Sequence, residues 1–180
     1  MIQYGFYFDQ TRCIGCHTCS VACKDWHDIP AGPVNWRRVG LIENGKFPDL
    51  FVAYTSIACN HCAEPPCVKV CPEKAITKRE SDGIVVVDRD KCLGNKECNM
   101  RCLNACSWKA PQFGPEDGAK MQKCNLCIER LEKGKAPICV EACPMYALDA
   151  GLLEELIKKY GVILEDERFK PSLLVKKKEN

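Results

Sequence analysis

Apolar and polar residues follow a helical period most clearly near the end of the chain, in GLLEELIKKYG. The apolar side chains there recur at the three- and four-residue spacing of one helix face: Leu152, Leu153, Leu156, Ile157 and Tyr160. Gly161 follows the last of them, at a position where glycine commonly ends a helix. The pattern predicts a short amphipathic helix whose apolar stripe packs against the core.

Two runs of β-branched residues near the middle of the chain predict a pair of short strands. The first run is AITKRE at 75–80, the second is IVVVDRD at 84–90, and SDG at 81–83 supplies a tight turn between them. By contrast, prolines and glycines interrupt the segment from Trp26 to Phe51 around its apolar part, WRRVGLI. That segment predicts loops with one or two short strands.

The cysteines change this picture, because sixteen of the 180 residues are cysteine and they form four groups of four. The groups are, in chain order, Cys13, Cys16, Cys19 and Cys23; Cys59, Cys62, Cys67 and Cys71; Cys92, Cys98, Cys102 and Cys106; and Cys124, Cys127, Cys139 and Cys143. An even count would suit a secreted disulfide scaffold. We expect no such scaffold, because MIQYGFYFDQTRC lacks the basic and then apolar stretches of a signal peptide.

Charge and motif content exclude several other classes. The net charge of +2 is spread along the chain, so we expect no nucleic-acid partner. No run approaches the roughly 18 apolar residues of a membrane span, so we expect no direct membrane insertion. Glycine-rich phosphate-binding motifs are also missing, and most residues with reactive chemistry are cysteines. We therefore expect no catalytic residues.

The spacing within the groups indicates iron–sulfur chemistry. Group one reads CIGCHTCSVAC, the C-x2-C-x2-C-x3-C run with which bacterial ferredoxins hold [4Fe-4S] clusters through thiolates. Zinc is the rival metal, but zinc sites typically use two cysteine pairs, whereas groups one and two present triplets and a fourth cysteine. Pro72 and Pro144 follow the last cysteines of groups two and four, where a fixed φ ends the loop. We predict four [4Fe-4S] clusters, with iron bound by all sixteen cysteines.

In paired ferredoxin clusters the fourth cysteine of each run binds the neighbouring cluster. We apply this exchange between cysteine groups one and four, and between groups two and three. It predicts four ligand sites, which we number by cluster. Site 1 is Cys13, Cys16, Cys19 and Cys143; site 2 is Cys124, Cys127, Cys139 and Cys23; site 3 is Cys59, Cys62, Cys67 and Cys106; site 4 is Cys92, Cys98, Cys102 and Cys71.

Group three permits two interpretations. If the usual spacing starts at Cys92, Asn95 occupies the second ligand position, site 4 favours a [3Fe-4S] cluster and Cys106 is left unused. If the loop is expanded instead, Cys92, Cys98 and Cys102 are three ligands and Cys106 is the exchanged one. We favour the expanded loop because it gives every cluster four thiolates.

The order of these elements predicts an α+β fold with two ferredoxin-like, two-cluster units and loop-rich connections. Groups two and three enclose the strand pair and form one unit at 53–109. Groups one and four lie outside it, so 1–52 and 110–180 form the second unit, into which the first is inserted.

Several stretches also resemble a known family, and the likeness covers nearly the whole chain. They are YGFYFDQTRCIGCHTCSVACKDWHD with the following WRRV, CNHCAEPPCVKVCPEKAI, APQF after group three, and KCNLCIERLEKGKAPICVEACPMYALDAG running into the predicted helix. They are similar to the four-cluster iron–sulfur subunit of the dimethyl sulfoxide reductase family of molybdenum or tungsten oxidoreductases. Group three departs from the family pattern, being longer and having Ser107 where a proline is usual.

The resemblance implies an electron-transfer subunit between a catalytic subunit with a molybdenum- or tungsten-pterin cofactor and a second redox partner. That partner is a quinone-reactive membrane anchor or a soluble electron carrier. It also implies the ligand exchange above, and a location that is cytoplasmic or reached by export with a signal-bearing partner. The alternatives are an autonomous soluble polyferredoxin, a subunit of a tungsten aldehyde oxidoreductase or hydrogenase, and a zinc-binding module.

Two further expectations concern residues beside the ligands. We expect His17 and His61 to be partly exposed loop residues. We also expect the lysines near ligands to be solvated: Lys24, Lys69, Lys109 and Lys123.

Overall fold

The computed structural model describes residues 2–161 and 168–179. Within these ranges the chain forms a mixture of short helices and strands, which agrees with the predicted α+β class. In chain order they are β1 (Tyr4–Asp9), α1 (Thr18–Trp26), β2 (Arg38–Lys46), β3 (Asp49–Ile57), α2 (Pro66–Lys69), β4 (Ile76–Lys78), β5 (Val85–Val87), α3 (Arg101–Ala105), α4 (Ile128–Leu131), α5 (Ile138–Glu141), β6 (Leu148–Leu152), α6 (Leu153–Tyr160) and β7 (Leu173–Lys176).

Strand β1 is the centre of a three-stranded sheet that joins both ends of the chain. It pairs antiparallel with β6 and parallel with β7. Because side chains alternate across a strand, Phe6 and Phe8 point to one face and Tyr7 to the other. Phe6 and Phe8 are buried among cysteines, whereas Tyr7 packs with Leu156 and Leu174. The sheet thus separates the cysteine-rich core from helix α6.

Helix α6 covers the second face of this sheet with the apolar stripe that the sequence predicts. Leu153, Leu156, Ile157 and Tyr160 belong to the same core cluster as Tyr7. The rings of Tyr7 and Tyr160 stack with their centroids 3.6 Å apart. Gly161 closes the helix in the left-handed conformation, with φ of 68°. The predicted core role of the stripe is confirmed for these residues, while Leu152 ends strand β6 instead.

Two hairpins make up the remaining strands. β4 and β5 pair antiparallel around residues 79–84, which confirms the predicted strand pair in a shorter form. β2 and β3 pair over nine residues each, from Arg38 with Ile57 to Lys46 with Asp49. For the segment from Trp26 to Phe51 the sequence predicts loops with one or two short strands, but its second half forms a long hairpin. The strands are longer than predicted because β3 continues beyond Phe51 and pairs with β2 along its whole length.

The described residues form two larger cores that are rich in cysteine. One lies against β1 and contains residues from both ends of the chain, and the other lies against β4 and β5. Short helices carry ligand candidates into them, with Cys67 on α2, Cys102 on α3 and Cys139 on α5. Among residues 2–161 and 168–179, no helix has the length and apolar character needed to cross a membrane.

Candidate metal centre

Site 1 is a small, partly open cavity beside β1. The cysteines that line it are Cys13, Cys16, Cys19 and Cys143. Cys13 follows the end of β1, and a left-handed glycine at Gly15 turns the chain back before α1 begins. Cys143 arrives from the other end of the sequence, just after α5. The fold therefore gathers one triplet and one distant cysteine around a single space.

Sites 3 and 4 are also small, partly open cavities. The cysteines in the wall of site 3 are Cys59, Cys62, Cys67 and Cys106, and those in the wall of site 4 are Cys71, Cys92, Cys98 and Cys102. Pro72 and Pro144 line sites 4 and 1, whereas Ser107 lines site 3. Each cavity again combines three cysteines of one group with one of another.

Helix packing places two thiols of the predicted site 2 on neighbouring helices. Helix α1 carries Cys23 and packs against α5, which carries Cys139. All four thiols of the site are buried: Cys23, Cys124, Cys127 and Cys139. Burial raises the pKa of Cys23 well above its usual value, and the neighbouring thiols of Cys124, Cys139 and Cys127 raise it further. The electrostatic neighbours of Cys23 thus include the three cysteines of group four.

Backbone amides donate hydrogen bonds to a sulfur atom in every site. Ala147 N–H donates to Cys143 Sγ over 3.4 Å in site 1, and Leu126 N–H donates to Cys124 Sγ over 3.3 Å in site 2. The corresponding bonds are Ala110 N–H to Cys106 Sγ at 3.5 Å in site 3 and Met121 N–H to Cys92 Sγ at 3.4 Å in site 4. Such donors favour the thiolate, the form that binds iron.

The protonated thiols are poorly solvated in these sites. Burial, followed by neighbouring thiols, raises the pKa of Cys62, Cys67 and Cys102 to about 12. Without metal these groups therefore keep their protons at neutral pH. Iron must displace the protons when it binds, so cluster assembly is coupled to proton release. Cys16 differs, because it is exposed and a hydrogen bond from Thr18 lowers its pKa.

Thiols of successive sites also lie close enough to affect one another. Besides burial, Cys139 of site 2 helps to raise the pKa of Cys19 in site 1. Cys59 of site 3 likewise helps to raise the pKa of Cys124 in site 2. Cys67 of site 3 helps to raise the pKa of Cys102 in site 4. These contributions make sites 1 and 2, sites 2 and 3, and sites 3 and 4 neighbours.

Asn95, in the longer loop between Cys92 and Cys98, packs away from the cavity of site 4. Asn95 accepts a hydrogen bond from Gly118 N–H and donates one to the backbone oxygen of Glu116, both at 3.0 Å. Gly94 lies so close to this loop that an added Cβ would stand 2.6 Å from the Gly118 oxygen. The side chain of Asn95 is thus engaged outside site 4, whereas Cys98 lines it.

Two buried cations lie among the sites. Lys123 is only 3% exposed, lines site 3, and donates hydrogen bonds to the backbone oxygens of Cys124 and Val85. The expectation of a solvated lysine is therefore wrong at this position. Arg37 is 2% exposed and was not a sequence candidate, because nothing in the order of WRRV distinguishes the arginine that points inward.

Histidines also separate into different environments. His17 is exposed as expected, but the expectation is wrong for His61, which is fully buried. Its Nδ1 accepts a hydrogen bond from Val85 N–H at 3.0 Å, and burial holds its pKa well below the usual value. His27, which the sequence did not single out, places Nε2 3.3 Å from Cys127 Sγ.

The donor sets fit iron–sulfur clusters rather than isolated metal ions. Three similar cavities each face four cysteines, each of the four sites has an amide donor to sulfur, and buried cations offset negative charge. Fold and sites define a ferredoxin-type iron–sulfur protein. A family model described as a 4Fe-4S dicluster domain matches residues 12–76, and another of the same description matches residues 50–153. The chain accordingly carries four [4Fe-4S] clusters.

Comparison with curated proteins narrows this class. The chain is 45% identical to the probable anaerobic dimethyl sulfoxide reductase subunit YnfG of Escherichia coli K12, covering 99% of this chain and 90% of that protein. It is 47% identical to the B subunit of anaerobic dimethyl sulfoxide reductase from the same organism, covering 88% and 78%. A formate dehydrogenase iron–sulfur subunit from Wolinella succinogenes is 40% identical, with 81% and 80% covered.

The chain belongs to the family of iron–sulfur subunits that includes the B subunit of dimethyl sulfoxide reductase. It is an electron-transfer subunit of an oxidoreductase complex and not the catalytic one.

Proposed function

We propose that the chain conducts electrons between a molybdenum- or tungsten-pterin catalytic subunit and a second redox partner, through clusters held at sites 1 to 4. The clusters, when bound, supply one-electron redox chemistry. The observation that carries the proposal is the set of three cavities that each face four cysteines, together with the buried thiols of Cys23, Cys124, Cys127 and Cys139. Relatives named for dimethyl sulfoxide reductase and formate dehydrogenase support a catalytic partner of this kind.

The proposed ligand sets are those with the fourth cysteine exchanged. They are supported by the walls of sites 1, 3 and 4, each of which contains one cysteine from a second group. Site 2 is supported by the packing of α1 on α5 and by the thiols around Cys23. The engagement of Asn95 by the Gly118 loop favours the expanded loop in group three, with Cys106 as a ligand of site 3.

We further propose that residues 53–109 form a two-cluster unit inserted between residues 1–52 and 110–180. The sheet β6–β1–β7, which joins the two chain ends, supports this division. Hairpin β4–β5 with its own cysteine-rich core supports the inserted unit. The first core also includes Cys59 and Ile84, so the two units would share packed residues at their junction.

The surface beside site 1 is the proposed contact with the catalytic subunit. Cys16 is the exposed member of its ligand set, and Ile14 on the cavity wall is 56% exposed. Tyr146, which is 74% exposed, stands near the same loop, with the Arg12 guanidinium 5.9 Å from its ring centre. Exposed apolar and aromatic side chains around a short path to a cofactor are suited to a protein partner.

The second partner would be a quinone-reactive membrane anchor or a soluble carrier, and it would face site 4. The location of the chain would be that of its catalytic partner, either cytoplasmic or exported with it.

Anaerobic purification of the affinity-tagged chain from its native host tests this function. We expect a large chain containing molybdenum or tungsten to co-purify, and Tyr146→Glu to weaken that association. Leu41→Glu is the control, since Leu41 is also an exposed hydrophobic residue, at 55%, but lies on hairpin β2–β3. A lone, redox-active monomer would instead favour an autonomous polyferredoxin, and zinc in place of iron and sulfide would reject electron transfer.

A further inference from the structure

Arg37 is a buried cation whose side chain is only partly hydrogen-bonded. It precedes β2 and is 2% exposed. Its Nη1 donates to the backbone oxygen of Ser56 at 3.3 Å and to Ser56 Oγ at 3.1 Å. The guanidinium carbon lies 4.6 Å from the centre of the Phe6 ring. Within the described part of the chain, Nε and Nη2 have no hydrogen-bond partner, although both are buried.

The surroundings of this guanidinium are thiols from two different sites. Ser56 Oγ, which accepts from Arg37, lies 3.5 Å from Cys19 Sγ in site 1. Burial by itself lowers the pKa of Arg37, but charge interactions with Cys139, Cys124, Cys19 and Cys23 outweigh it and raise the pKa. Three of these cysteines belong to site 2 and one to site 1. Phe6, whose ring the guanidinium faces, lies in one buried cluster with Cys19 of site 1 and with Cys124 and Cys139 of site 2. Ser20, which lies between Cys19 and Cys23 on α1, donates a hydrogen bond from Oγ to the backbone oxygen of Arg37 at 2.7 Å. Arg37 therefore lies at the junction of the two sites.

A merely structural role explains this arrangement poorly. Arginine has five N–H donors, and a buried guanidinium normally uses them in hydrogen bonds or pairs with a carboxylate. Taking such a charge out of water is costly unless negative charge lies nearby. Here the groups that can supply negative charge are the cysteine sulfurs, and they do so only as thiolates bound to iron.

We propose that Arg37 is a fixed positive charge shared by sites 1 and 2, which raises the reduction potential of the cluster at each site. The proposal rests on the ligand grouping proposed above. Reduction adds negative charge at a site, and a buried cation stabilises that charge more than a solvated one, because water does not screen it. Since one guanidinium serves both sites, its removal should affect the two together.

Redox titration of the full-length, iron-loaded chain, followed by electron paramagnetic resonance, tests the proposal. Arg37→Met removes the charge and keeps much of the side-chain volume, whereas Arg37→Lys keeps the charge. Arg101→Met is the control, because it removes an exposed arginine that is likewise next to a ligand candidate in sequence, Cys102, but lies outside sites 1 and 2. Signals of sites 1 and 2 are identified by their loss in Cys13→Ala and Cys124→Ala.

In Arg37→Met we expect the oxidised-to-reduced ratio at a fixed ambient potential to rise at least tenfold at sites 1 and 2. That change corresponds to a fall of 59 mV for a one-electron couple. Sites 3 and 4 should keep their potentials, as should all four sites in Arg101→Met. Arg37→Lys should stay within about threefold of the parent, because it retains the charge.

Two results would overturn the proposal. One is parental potentials in Arg37→Met with full iron content, and the other is an equal shift in Arg37→Met and Arg37→Lys. If Arg37→Met does not retain iron, Arg37→Gln replaces it as the neutral variant. Iron loss in both neutral variants but not in Arg37→Lys would support a role for the positive charge of Arg37. Iron loss in all three variants would reject that role. The parent titration separately tests the proposed function, because clusters that do not change oxidation state would reject electron conduction whatever the Arg37 variants do.

Discussion

Removing Cys23 should damage a cluster whose other ligands lie about a hundred residues away, and not the one bound by its neighbours in sequence. Cys19 and Cys23 are both buried and lie one turn apart on α1, about 6 Å along the helix. By the proposed exchange, Cys19 serves site 1 and Cys23 serves site 2. Proximity in sequence therefore gives the wrong partner, and pairwise variants reveal the right one.

The size of the expected effect can be stated as the number of iron atoms lost per chain. Four [4Fe-4S] clusters hold about sixteen iron atoms. Cys23→Ala and Cys124→Ala each act on site 2, so the double variant should lose at most about four, however much each single variant loses. Cys13→Ala acts on site 1. The iron losses of Cys23→Ala and Cys13→Ala should therefore add, because independent sites give additive effects.

The assay is iron and acid-labile sulfide per chain in anaerobically purified protein, with electron paramagnetic resonance to detect three-iron products. Ala22→Ser, which changes the residue before Cys23, controls for damage to helix α1. The reverse pattern would refute the exchange: additive losses for Cys23 with Cys124, and losses confined to one cluster for Cys23 with Cys13.

Two other substitutions test the framework around the sites. Gly15→Ala should speed iron release from site 1 to a chelator, because φ of 70° costs a non-glycine residue about 1–2 kcal/mol and the new Cβ would stand 2.3 Å from the Tyr54 ring. Gly134→Ala is the control, because Gly134 has a similar φ of 67° but open space where the Cβ would be added. Equal iron release rates in the two variants would show that the contact with Tyr54 is unimportant. Lys123→Met should destabilise the iron-loaded chain by roughly 3–6 kcal/mol, since it removes two charge-assisted hydrogen bonds of about 1.5–3 kcal/mol each. The midpoint of guanidinium chloride unfolding measures this loss, and the exposed substitution Lys133→Met should leave it nearly unchanged.

Features that depend on local spacing were predictable from the sequence. The stripe in Leu153–Tyr160 requires only the 3.6-residue period of a helix, and the pair β4–β5 requires β-branched runs around a turn. The four cysteine groups likewise identify iron–sulfur chemistry, because consecutive ligands in one loop must lie a few residues apart.

Features that depend on distant segments were not predictable in this way. Strand β7 gains its position from parallel pairing with β1, more than 160 residues earlier in the chain. Nothing local shows that Arg37 is buried at the junction of two sites, while Arg38 beside it bonds to the backbone oxygen of Trp108. The burial of His61 and Lys123 has the same origin, since both are enclosed only when hairpin β4–β5 folds against their loops.

The sequence by itself thus determined the cofactor type, the sixteen candidate ligands and the elements with a regular period. Only the tertiary structure decided which distant segments pair and which cations are buried among the sites. The physical reason is that spacing restricts a loop over a few residues, whereas burial and charge at a point depend on every segment that packs there.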